Sequence, residues 1–81
     1  MNKLFTYTVS LNADREIFRR TCLEIEKYRE IKRKELIEDV DGSQIAVFEA
    51  PDGIIKVFND YEVDAVYVDS EIDLKGCKIW G

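Results

Sequence analysis

The sequence predicts a two-layer α+β domain: one amphipathic helix packed on an antiparallel sheet, in the order β-α-β-β-β-β with a short final strand as an option. Three observations carry that expectation. Residues 4–11 alternate side chains with period two, and residues 13–30 change to a spacing of three and four. Beyond residue 40, turn-forming dipeptides recur between short apolar runs. A single helical stripe among hairpin-linked strands is buried by laying the helix on one face of the sheet.

The elements follow in order. Phe5, Tyr7, Val9 and Leu11 share one side of the first strand, with Leu4, Thr6, Thr8 and Ser10 on the other. Asn12 offers an oxygen as helix N-cap, and Asp14 suits the positive end of the helix dipole. From Ala13 to about Glu30 the stripe is Ile17, Phe18, Thr21, Cys22, Ile25 and Tyr28, with Leu23 left on the opposite side. No glycine or proline marks the helix end, so it is placed near Ile31, with a strand starting by Lys34 or Glu35. Asp41-Gly42 predicts a tight type I′ hairpin between strands at Glu35–Val40 and Ser43–Glu49. Pro51 and Gly53 predict a second turn, with Gly53 at positive φ, followed by a strand at Ile54–Phe58. Asn59-Asp60 reads as a third turn, leading to a strand at Glu62–Asp69. Ser70–Gly76 reads as a loop, and Cys77–Trp80 as a short last strand or a packed tail.

Size and composition exclude more than they assign. Eighty-one residues hold one domain, residues 1–81. The 46% apolar content is too high for a disordered chain. No apolar run is long enough for a membrane helix, and the alternating N-terminal residues do not form a signal-peptide block. A soluble, cytoplasmic protein is expected, with Cys22 and Cys77 as reduced thiols. Histidine is absent from the sequence, which removes the commonest general base and metal ligand. No two of the glycines are spaced as a phosphate-binding loop, and Gly42 sits too early after Asp39 for a calcium-binding EF-hand. The expectation is a protein that is not an enzyme and uses no cofactor or metal.

The formal charge of −5 conceals a polar arrangement. Residues 1–34 hold nine Lys/Arg against five Asp/Glu, whereas residues 35–81 hold three against twelve. Within the acidic half, Asp60, Glu62, Asp64, Asp69, Glu71 and Asp73 follow one another without an intervening Lys or Arg. On a strand, Glu62 and Asp64 would project from one side about 6.8 Å apart. Tyr61 and Tyr67 flank these acids and suit a binding surface. These eight residues are the candidate partner-binding site, and the partner is a basic protein surface.

One form of such binding is inhibition, including mimicry of a nucleic-acid backbone by small proteins of phage anti-defence type. Direct nucleic-acid binding is disfavoured, because the basic helix residues alternate with Glu16, Glu24, Glu26 and Glu30. Two other readings compete. In one, the acids only decorate a solvated edge. In the other, the chain is a small accessory domain that self-associates through sheet edges or opposite charge, with no inhibitory role. No motif is specific enough to carry site residues over from a known family.

Overall fold

The computed structural model describes residues 4–28 and 31–77. One helix packs on a five-stranded antiparallel sheet, the α+β arrangement expected from the periodicity. The elements are β1 (Phe5–Ser10), α1 (Arg15–Tyr28), β2 (Lys32–Glu38), β3 (Gln44–Ala50), β4 (Gly53–Asp60) and β5 (Ala65–Ser70). The spatial order is β1-β5-β4-β3-β2, so the chain crosses from one side of the sheet to the other through α1. Cys77 is buried but belongs to no strand, and the rest of the suggested strand at 77–80 lies outside the described residues.

Helix α1 begins one cap later than expected. Asp14, not Asn12, is the N-cap: its Oδ1 accepts from the backbone N–H groups of Glu16 and Ile17 at 2.8 and 3.0 Å. Asn12 is instead used outside the helix, where its amide reaches Asp64. The helix buries Phe18, Thr21, Cys22 and Ile25 and leaves Leu23 exposed, as the spacing predicted. Below it, alternate residues of the strands form the covered face: Ala46 and Phe48 of β3, Ile55 and Val57 of β4, and Val66 and Val68 of β5, all at 0% exposure. Each large apolar side chain buried here contributes roughly 1.5–3 kcal/mol. Ile31 and, after β5, Ile72, Leu74 and Cys77 close the ends of this core.

Burial of the Cys22 thiol pushes its pKa up to about 12, which keeps it protonated at neutral pH. Asn59 is one of three polar residues that the strands bury on the covered face, with Gln44 and Ser70. Its oxygen accepts from the Asp14 N–H and its amide donates to Gln44, which ties the helix start to β3 and β4.

The loops depart from the sequence expectation for reasons of backbone geometry. A type I′ turn needs two positive φ angles, yet in the β2–β3 loop only Gly42 has one, at 91°. The hairpin therefore closes one residue wider. Gly42 N–H donates to the Asp39 carbonyl, and Asp39 N–H donates to the Ser43 carbonyl. In the next turn Gly53 is needed for proximity, not for positive φ: a Cβ there would lie 2.9 Å from the Glu71 Cβ.

Strand β2 starts at Lys32, two residues before the expected point, because charged side chains are easily accommodated on an edge strand. Lys32 pairs with Glu49 and Arg33 with Phe48 before a bulge at Lys34. Strand β4 runs through Asn59 and Asp60, which had read as a turn, since Asn59 has a buried partner to reach. The turn falls at residues 61–64, and β5 begins only at Ala65.

Candidate functional site

The shift of that turn redistributes the acidic run. Asp60 ends β4. Tyr61, Glu62 and Asp64 stand in the β4–β5 loop, so the expected strand row of Glu62 and Asp64 does not form. Tyr67 and Asp69 lie on β5, on the side of the sheet away from the helix. Glu71 and Asp73 follow β5 at the far end, about 17 Å along the strand from the loop by strand rise. Six acids contiguous in sequence are thus divided between two ends of the molecule.

Several of these carboxylates have structural work. Asp64, at φ 57°, accepts from the Ala13 N–H at 2.8 Å and from the Asn12 amide at 3.2 Å. The Ala13 bond, then the Asn12 bond, holds its pKa below the usual carboxylate range. Asp60 Oδ1 accepts from the N–H of Glu62 and of Val63, shaping the loop. Asp69 accepts from the Thr6 hydroxyl on the neighbouring strand. Glu71 accepts from the Ile54 N–H, and Asp73 from the Tyr7 hydroxyl and the Lys75 N–H. Glu62 and the Tyr61 ring remain exposed at the loop, although the Tyr61 N–H donates to Ser43.

What the fold assembles instead is an acidic rim around an apolar floor. On the open face, the strand registers set Ile37 beside Ile45, Ile45 beside Phe58, and Phe58 beside Tyr67, a row across four strands. Phe58 and Tyr67 stack at 4.7 Å with 10° between their planes. Ile45, Phe58 and Tyr67 are half-buried and Ile37 is 43% exposed. Carboxylates gather at one end of this row: Asp39 and Asp41 from the β2–β3 loop, Asp60 from the end of β4 and Glu62 from the β4–β5 loop. Together they border a depression of about 410 Å³. The Ser43 hydroxyl joins the loops, donating to Asp41 and accepting from the Tyr61 N–H. Burial raises the Tyr67 pKa, and the nearby charges of Asp60 and Asp69 and a hydrogen bond with Asp60 add to the shift. The phenol therefore stays neutral at physiological pH.

Of the candidate residues, Asp60, Glu62 and Tyr67 line this depression, and the other five do not. Sequence reading missed Asp39, Asp41, Ile37, Ile45 and Phe58. Their signal was present in the alternation of each strand, but it needed the correct registers to place them together. The opposite end of the open face holds a second depression, bordered by Leu4, Val47, Ile54 and Phe58 with Lys56, Asp69 and Glu71. Its mixture of charges distinguishes it from the acidic end. Among the described residues no group of three Asp, Glu or Cys side chains is placed to hold a metal ion, and no helix is long and apolar enough to cross a membrane. No known family model matches the sequence, and neither curated proteins nor solved structures yield a match.

Proposed function

We propose that this chain is a non-enzymatic protein-binding module whose acidic-rimmed open face engages a basic surface of another protein, as an inhibitor of that surface. The observation that supports it most is the joining of the Ile37–Ile45–Phe58–Tyr67 floor to the Asp39, Asp41, Asp60 and Glu62 rim. A Lys or Arg side chain has the same two-part character. Its aliphatic stem covers apolar surface while its cationic head reaches carboxylates at the edge. Stacked aromatics offer a face for a guanidinium, and tyrosine is enriched at binding hot spots. Like-charged rim residues also speed encounter with a basic partner in a salt-dependent way. The division of the six-acid run favours this compact knob-and-rim contact over an extended phosphate-like row. Inhibition of a nucleic-acid-binding protein, including one of host defence, fits because such proteins carry basic grooves.

The test is affinity capture from source cells at low and high salt, followed by titration of the recovered protein against variants. Glu62→Lys should weaken binding at least tenfold, and Glu24→Lys on the helix side should leave it unchanged. Equal binding by wild type and Glu62→Lys would remove the acidic rim from the interface. Asp64 is unsuitable for this purpose, because its carboxylate anchors the β1–α1 connection.

A further inference from the structure

Strand β2 differs from every other strand. All seven of its residues are exposed, and it forms one edge of the sheet, with nothing paired to its outer side among the described residues. Its apolar side chains lack cover on either side. Leu36 points to the helix side and is 50% exposed, Ile37 points to the open side and is 43% exposed, and Val40 stands free at the hairpin tip. Edge strands are ordinarily protected by charge and bulges, and β2 has both. Its charges, however, are sorted along the strand and not mixed. Lys32, Arg33 and Lys34 come first, and Glu35, Glu38, Asp39 and Asp41 follow. Such an edge repels a parallel copy of itself and is complementary to an antiparallel one.

We infer that this chain forms a two-fold dimer in which β2 pairs antiparallel with β2 of a second copy, joining the two sheets. Register follows from face and charge. Antiparallel neighbours project to the same side, so only centres on a residue keep the faces matched. A centre on Glu35 sets that carboxylate against itself, and a centre on Ile37 sets Glu35 against Asp39 of the copy. A centre on Leu36 places the two leucines together on the helix side and Ile37 beside the copy's Glu35. It also lays each basic 32–34 run along the acidic 38–41 run of the other copy. The interface is isologous and closed, so it stops at two copies. Arg33 already pairs with Glu26 at 2.7 Å, Lys34 with Glu49 at 3.4 Å and Arg15 with Glu38 at 3.7 Å. All of these pairs are lateral and solvent-exposed, which leaves the charges able to share a second partner across the edge.

Sedimentation equilibrium of the full chain tests the dimer directly. The wild type should show twice the 9.5 kDa chain mass. Two reversed chains isolate the pairing: Lys32→Glu with Lys34→Glu, and Glu38→Lys with Asp39→Lys. Each alone should sediment as a monomer with an unchanged circular dichroism spectrum, and an equal mixture of the two should recover the dimer mass. A wild type that remains monomeric at high micromolar concentration would overturn the inference. So would reversed chains that dimerise like wild type, or a mixture that stays monomeric. If either reversed chain misfolds, wild-type hydrogen exchange decides: concentration-dependent protection of β2 amides supports the pairing, and its absence overturns it.

Discussion

The two faces of the sheet are built from the same strands, yet they hold their apolar residues differently. On the helix side, Phe48, Ile55, Val57 and Val68 are at 0% exposure and form one continuous core with α1. On the open side, Ile45, Val47, Phe58 and Tyr67 are only half-buried, screened by each other and by charged neighbours. Period-two alternation predicts apolar residues on one face and polar residues on the other. Here β3 and β4 carry apolar residues on both, more than one helix can cover. The surplus is what singles out the open face as the proposed binding surface.

Three measurements would break or sharpen this contrast. The largest effect is expected from removing an aromatic ring on each face. Phe48→Ala should lower unfolding free energy by about 3–5 kcal/mol, as measured by urea denaturation. Phe58→Ala should cost clearly less, because its ring already meets solvent. Equal losses would show that the open face is as much a core as the covered one.

A smaller loss tests the polar tie on the covered face. Asn59→Leu leaves the Asp14 N–H and the Gln44 side-chain oxygen without their present partner. The expected cost is about 1–3 kcal/mol. A neutral or stabilising result would mean that packing at this position outweighs the two hydrogen bonds.

The smallest effect concerns acid. Asp64 has a native pKa below its unfolded one, so its contribution is complete above the ordinary carboxylate value and is lost as pH falls through the depressed native value. Asp64→Asn should therefore lower the melting temperature slightly at neutral pH and leave it nearly unchanged well below about pH 4, so that the fall toward acid becomes flatter. Asparagine also tolerates the left-handed backbone that this position adopts. An unchanged acid limb would assign the sensitivity to other carboxylates.

The fold class was legible because period changes are strong signals. The first strand was found, although it spans Phe5–Ser10 and leaves Leu11, expected beside Val9, 82% exposed. The stripe from Ile17 to Tyr28 read correctly, and turns near Gly42 and Pro51 separated the next strands. Boundaries failed where a residue's partner is remote in sequence. Asn59 looks like a turn former until Asp14 and Gln44 are beside it, and Asn12 looks like a cap until Asp64 takes its amide. The proposed acidic site was half legible. Asp60, Glu62 and Tyr67 were found, but local sequence treats Glu71 and Asp73 as their neighbours, whereas the sheet replaces these with Asp39 and Asp41. A run in sequence becomes a patch in space only if the backbone stays straight, and here a loop and a six-residue strand intervene.

The pairing of β1 with β5 places Phe5 beside Ser70, so β1 cannot complete its ladder until β5, some sixty residues later in the chain, is in place. The central hairpins from β2 to β5 close over short loops, but β1 must bridge some sixty residues before gaining any of its ladder bonds, a slow step by loop-closure entropy. Until then one edge of β5 and the uncharged stretch from Leu4 to Ala13 are both unsatisfied. Unpaired strand edges are prone to wrong pairing, so the docking of β1 is the step that protects this end of the sheet.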